Sequence, residues 1–152
     1  MKRAVLIICI SCLSLPAFSQ SCEERESRLV QGITGFSATV LYNTYGLIGS
    51  ISDAFGNDVY DSKTVSNLLN AQKKLMDNLV ELVEKMNRDS ILLKPADINY
   101  ASSSVLILKG LKKQAELMLE YARSKTPQRL ENYEAQRTKN WSDISKLMGL
   151  KE

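Results

Sequence analysis

The stretch VSNLLNAQKKLMDNLVELVEKM, residues 65–86, decides the fold class. Its apolar residues recur at alternating spacings of three and four, and Gln72 occupies one position of the same series. Because a helix turns once in about 3.6 residues, this spacing collects the series on one face. The apolar members are Val65, Leu68, Leu75, Leu79, Leu82 and Met86. With Asp61 or Ser62 as its cap, the stretch predicts an amphipathic helix over residues 62–87.

Two further helices are predicted downstream of this stretch. Pro95 suits the first turn of a helix over residues 95–123, since its missing N–H would be unpaired there. Thr126 and Pro127 mark the start of another helix over 127–148, which Gly149 ends. The stripe of the 95–123 helix mixes small and large residues, namely Ala101, Val105, Leu108, Leu111, Ala115, Met118 and Ala122. The links are short and polar, so consecutive helices should run antiparallel.

The first helix, about residues 23–55, contains no charged residue from Leu29 to Ser52. Its aliphatic residues fall on more than one side, as in a helix that is central in a bundle or lies in a membrane. The many hydroxyl and amide side chains in this run favour an inner helix over a membrane span. We therefore predict an all-α protein, an antiparallel up-down-up-down four-helix bundle with a long first helix.

The N-terminal residues have the pattern of a secretory signal. Lys2 and Arg3 precede an apolar core, and small residues near Ser19 form a cleavage site. We expect a signal peptide over residues 1–19, a single domain over 20–152, and a periplasmic or secreted protein. Cys22 is then the one cysteine left, either a free thiol or, in the less favoured lipoprotein alternative, an acylated residue.

The composition argues against most enzyme classes. The chain has no histidine, which removes the commonest general base and the usual ligands of zinc and haem. No motif for a cofactor is present, and none is predicted. A calcium site at Asp53, Asn57, Asp58 and Asp61 is a weak alternative, because their spacing departs from that of an EF-hand loop.

The glycine-rich part of the first helix suggests a specific polar pairing. If the first two helices form a hairpin, Gly46 faces Gln72 and Asn43 lies about one turn away. We therefore expect Gln72 to be buried and hydrogen-bonded to Asn43 or to the backbone near Gly46, with Gly49 also in this polar core. Tyr42 and Tyr45 cannot both share the glycine face, so they are candidates for binding, together with Trp141.

These features favour an exported, non-enzymatic module that binds a protein or a small ligand, such as an adaptor or an inhibitor or immunity-type protein. Its partner should be another envelope or exported protein. Nucleic acid is not expected, because 20 basic and 17 acidic residues are mixed along the chain. The alternatives are a membrane-associated or lipid-anchored envelope protein and, third, a hydrolase that uses carboxylates.

Overall fold

The computed structural model describes residues 22–92 and 94–150, and every regular element in this part of the chain is an α-helix. The helices are α1 (Cys22–Gly56), α2 (Ser62–Arg88), α3 (Pro95–Ser124) and α4 (Pro127–Met148). They pack against one another as a four-helix bundle, so the predicted fold class is confirmed. The signal peptide predicted over residues 1–19 lies outside the described residues, as does the side chain of Cys22.

The helix ends are formed by the local signals in the sequence. The Asp61 carboxylate accepts a hydrogen bond from the backbone N–H of Thr64 at 2.7 Å, which holds the pKa of Asp61 below its ordinary value. Pro95 and Pro127 occupy the first turns of α3 and α4. Gly149 ends α4 in the left-handed conformation, with φ of 65°, which glycine adopts without a steric penalty.

Contacts between the helices establish the up-down-up-down order. Along α3, Lys109 pairs with Glu84 and Lys112 with Asp77, so α2 and α3 are antiparallel. The same reasoning applies to α3 and α4, where Gln114 meets Asn140 and the carbonyl of Glu120 meets Arg129. On α1, Ser37 meets Tyr100 and Phe55 meets Tyr121, so α1 and α3 run in the same direction.

The central helix is α3, and the prediction that α1 is the inner helix is wrong. α3 contacts all three other helices, and its interfaces with α2 and α4 are the most extensive in the described chain. The whole predicted stripe of α3, from Ala101 to Ala122, is buried. Small side chains on α3 allow this approach: a Cβ added to Gly110 would lie 2.5 Å from Oδ1 of Asn140.

The buried polar contact of the bundle lies between α3 and α4. Gln114 and Asn140 are both fully buried, and Nδ2 of Asn140 donates to Oε1 of Gln114 at 2.8 Å. Oδ1 of Asn140 in turn accepts from Nε2 of Gln136 at 2.9 Å. Because a buried amide is costly unless it is hydrogen-bonded, these side chains constrain how α4 sits on α3.

Candidate functional site: an apolar groove and an aromatic patch

The two halves of α1 differ in how they are packed. In the C-terminal half, Leu41, Ile48, Ile51 and Phe55 are buried in a core cluster that includes residues of α2, α3 and α4. In the N-terminal half, from residue 24 to residue 40, every side chain is half-buried or exposed. The charge-free run of α1 therefore contributes to the core along one half only, and along the other half it forms an apolar surface.

The exposed half of α1 forms one wall of an apolar groove, and the C-terminal half of α2 forms the other. The groove has a volume of about 510 Å³. Both walls stand partly in solvent: Phe36 is 79% exposed and Leu82 is 55% exposed. The larger wall residues are Leu29, Ile33 and Phe36 from α1 and Leu79, Leu82 and Met86 from α2.

Two residues of α3, Ser104 and Leu108, form the floor of this groove. A smaller cavity of about 60 Å³ continues beneath the groove and shares Ser104 and Ile33 with it. Tyr100 borders this cavity and fixes the α1 wall, because its hydroxyl donates to the carbonyl of Thr34 at 2.9 Å and lies 2.8 Å from Oγ of Ser37. The α1 wall is thus held to α3 by hydrogen bonds rather than to α2 by close packing.

The electrostatics of the groove are simple. Arg28 is the one charged residue among those that form it, and its guanidinium pairs with the carboxylate of Glu24 at 2.9 Å. Further along both helices, the apolar exposure continues beyond the groove to Leu47 on α1 and to Leu75 and Leu68 on α2. The face is therefore extended and largely apolar, and Arg28 is the one charged residue of its groove.

On the other flank of α1, an aromatic patch forms against α4. It consists of the three residues predicted as binding candidates, Tyr42, Tyr45 and Trp141. The ring centroids of Tyr42 and Tyr45 lie 6.2 Å and 5.6 Å from that of Trp141. Tyr42 and Trp141 are partly in solvent, and Gly46 leaves a shallow notch between them. The structure brings the three residues together, while binding at this patch stays a prediction.

Arg137 lies beneath this aromatic patch. A Cβ added to Gly49 would lie 3.4 Å from the Arg137 guanidinium, so Gly49 provides the space in which Arg137 crosses α1. Partial burial acts to lower the pKa of Arg137, but interactions with Tyr133, Tyr45 and the Glu134 carboxylate outweigh it and raise that pKa. The cation is therefore part of the α1–α4 contact.

The polar core expected around Gln72 is wrong. Asn43 and Gly46 are exposed and border the shallow notch beside Trp141, while Gln72 is half-buried. Among the described residues, no hydrogen bond joins Asn43 to Gln72. The expectation assumed that α1 packs mainly on α2, whereas α1 has its most extensive contact with α3. Of the four residues predicted to form the polar core, Asn43, Gly46, Gly49 and Gln72, only Gly49 is buried, and it faces Arg137.

The calcium alternative at Asp53, Asn57, Asp58 and Asp61 stays a prediction, and these residues have local contacts of their own. Within residues 22–92 and 94–150, no three carboxylates come together as ligands of a metal ion. Asp61 caps α2, and Asp58 lies 3.3 Å from the ammonium of Lys125. The side-chain amide of Asn57 donates to the carbonyl of Asp53. These residues therefore form turn, cap and surface contacts.

Sequence reasoning did not single out the groove, although a signal for it exists. Leu29, Ile33, Phe36, Val40 and Leu47 follow one series with spacings of four, three and four, interrupted at Asn43. This series resembles that of α2, and two such stripes can belong either to a closed core or to an open groove. The sequence pattern alone does not distinguish these arrangements.

No helix in the described part of the chain combines the length and the apolarity needed to cross a bilayer. Comparison of the chain with protein-family models, with curated proteins and with solved structures finds no match. What this protein does must therefore be inferred from its own surfaces.

Proposed function

We propose that this protein is an exported, non-enzymatic module that binds an amphipathic α-helix of another exported or envelope protein in the groove between α1 and α2. The observation that carries the proposal is the pair of half-exposed apolar walls, one on each helix, around a groove in which Arg28 is the one charged residue. An amphipathic helix presents apolar side chains along one face, and grooves of this kind bind such helices through residues at helical spacing. Exposed apolar surface of this extent marks an interaction site in soluble proteins.

Shape and area argue for a helix over a second copy of the same chain. The apolar face from Leu29 to Leu47 is about 27 Å long, and two adjacent helices are about 20 Å wide. Their footprint of about 500 Å² is smaller than the 800 Å² or so that each partner buries in a standard interface. Two copies would also place two concave grooves opposite each other and leave a large void, whereas interiors are closely packed. A single helix is a ridge that fills the groove.

The position of the rim residues argues for a helix over a small apolar ligand. Sites for small ligands bury about 70–90% of the ligand surface. Here Phe36 and Leu29 stand at the outer rim, with exposed fractions of 79% and 65%. A narrow acyl chain on the groove floor would leave both side chains in solvent. A helix, about 10 Å across, reaches the floor and both rims at once.

The non-enzymatic part of the proposal is supported by composition and by the character of the groove. The chain has no histidine, and the groove carries no carboxylate that could act as a general base. Export is supported by the basic, apolar and small-residue pattern of residues 1–19. Either an adaptor or an inhibitor of the immunity type would use such a surface.

Selection from a displayed library tests the proposal. The library consists of 18-residue amphipathic helices that are randomised on the apolar face, and the targets are residues 20–152 as wild type and as two variants. Phe36→Asp places a charge on the groove wall. Leu106→Asp is the matched control, because Leu106 is 71% exposed on α3 and lies outside the groove. Both positions are exposed, so both variants should fold, which circular dichroism checks.

We expect the wild type and Leu106→Asp to enrich the same family of helices. Phe36→Asp should bind members of that family at least tenfold more weakly, since an aspartate buried against an apolar helix would be unpaired. Equal binding to Phe36→Asp, or no enrichment of any helix on the wild type, would contradict a helix-binding groove.

A further inference from the structure

The floor of the groove contains a polar atom that is buried and unpaired. Ser104 is 4% exposed, and its Oγ has no hydrogen-bond partner among the described residues. Four other buried side-chain atoms in the described chain share this condition, but none belongs to a residue of the groove or of the cavity beneath it. Ser104 belongs to both. A buried hydroxyl without a partner is costly, so it calls for an explanation.

Other hydroxyl groups near Ser104 donate to a backbone carbonyl of their own helix, a hydrogen bond that Ser104 does not make. Within a helix, serine and threonine commonly donate to a carbonyl one turn earlier. Thr34 donates in this way to the carbonyl of Val30 at 2.8 Å, and Ser37 donates to that of Thr34 at 2.9 Å. The hydroxyls of Ser37 and Tyr100 lie 2.8 Å apart and both reach the carbonyl of Thr34, so their protons are used within the α1–α3 contact. Ser104 alone on the groove floor has capacity left.

We infer that the helix bound in the groove carries one hydrogen-bonding side chain, a hydroxyl or an amide, at the centre of its apolar face, and that this side chain pairs with Ser104. The inference rests on the proposed function and specifies the partner further. The Ser104 hydroxyl is already closed off from solvent, so it pairs with a bound helix by rotating about its Cα–Cβ bond toward the cavity, and a helix that is apolar throughout would leave it without a partner. A helix with a central polar residue would satisfy it, and a single polar position of this kind fixes register between packed helices.

The space around Ser104 suits such a group. The cavity beneath the groove holds about 60 Å³, and a water molecule occupies about 30 Å³ in the liquid. The cavity therefore admits the end of one side chain and no larger group. Ile33 and Val83 border it on both sides, so the rest of the inserted side chain would be in apolar contact. One position of the bound helix is thus selected both for size and for hydrogen bonding.

The library selection described above tests this inference when Ser104→Ala is added as a target. Alanine is close to serine in size and removes an unpaired hydroxyl, so we expect Ser104→Ala to melt at the same or a higher temperature than the wild type. On the wild type, the central position of the enriched helices should favour Ser, Thr, Asn or Gln. On Ser104→Ala, the same position should favour Ala or a larger apolar residue.

Synthetic peptides then give the size of the effect. One enriched helix and its variant with alanine at the central position are titrated against the wild type and Ser104→Ala. We expect the alanine peptide to bind the wild type about three- to tenfold more weakly, and to bind Ser104→Ala with less than a twofold change. If enriched helices are sensitive to Phe36→Asp but carry an apolar central residue on both targets, the inference is wrong and the groove function stands. If enrichment ignores Phe36→Asp, the groove function itself is wrong.

Discussion

The two halves of α1 share one charge-free run, Leu29 to Ser52, and have opposite environments. Ile48, in the C-terminal half, is fully buried, whereas Ile33, in the N-terminal half, is 43% exposed. Both lie in the same charge-free run. In the C-terminal half the run belongs to the core, which side chains of α2, α3 and α4 complete. In the N-terminal half it faces α2 across the groove, and nothing within the described chain covers it.

This difference shows that burial is decided by the elements packed around a helix and not by the helix alone. The C-terminal half contributes to folding stability, since its apolar area is removed from water within the chain. The N-terminal half contributes little of that kind, because its apolar side chains remain partly in solvent. Matched substitutions in the two halves therefore separate residues that stabilise the bundle from residues that form its exposed apolar surface.

The largest contrast is expected between two isoleucine substitutions. Ile48→Ala should lower the free energy of unfolding by about 2–5 kcal/mol, because it leaves a cavity in a packed core. Ile33→Ala should lower it by less than about 1 kcal/mol, since much of its side chain is already in solvent. Urea unfolding followed by circular dichroism measures both. Equal losses would mean that the two halves of α1 are packed alike.

A second contrast concerns two asparagines. Asn140→Ala should lower the free energy of unfolding by about 1–3 kcal/mol, because it leaves the buried amide of Gln114 without its partner. Asn43→Ala, at an exposed position, should change the stability by no more than about 0.5 kcal/mol. The same unfolding measurement applies. A larger loss of stability for Asn43→Ala than for Asn140→Ala would mean that the polar core lies between α1 and α2.

A third prediction concerns the attachment of the exposed half of α1 to α3. Tyr100→Phe removes the hydroxyl that contacts Ser37 and the carbonyl of Thr34. It should lower the free energy of unfolding by about 1 kcal/mol. Hydrogen exchange should quicken in residues 24–40 and remain unchanged in residues 41–56. Tyr42→Phe, at an exposed position, serves as the control and should leave both segments as they are. A uniform rise in exchange along α1 would show that its two halves open as one unit.

The sequence alone predicted the four helices and the all-α fold class. Caps and helix-starting prolines are local signals, so Asp61, Pro95 and Thr126 could be assigned without knowing the packing. The central helix could not be identified in the same way, because Ile33 and Ile48 are indistinguishable until their neighbours are known. Reasoning from hydrophobicity placed α1 inside the bundle, whereas α3 occupies that place.

The buried polar pair and the groove differ in how far they could be foreseen. Gln114 lies three residues after Leu111 and four before Met118, and Asn140 lies seven after Tyr133 and four before Ile144. Both amides therefore fall on buried stripes, and extending the spacing argument to polar residues would have found them. Predicting the groove would have required the distance between α1 and α2, and the spacing of apolar residues along each helix does not give that distance. The aromatic candidates met because Tyr42, Tyr45 and Trp141 lie on facing flanks of antiparallel helices.

The smallest expected effects separate stability from binding at two glycines of the exposed half. A Cβ added to Gly32 or to Gly35 meets no atom within 4 Å, so each change to alanine should stabilise the bundle by about 0.5–1 kcal/mol through helix propensity. Gly32 borders the groove and Gly35 does not. Gly32→Ala should therefore weaken the binding of an enriched helix, because the new methyl group occupies space that the bound helix needs, whereas Gly35→Ala should leave binding unchanged. Thermal unfolding and peptide titration measure the two quantities separately. A loss of affinity at Gly35 with none at Gly32 would move the docking surface out of the groove and onto the outer face of α1.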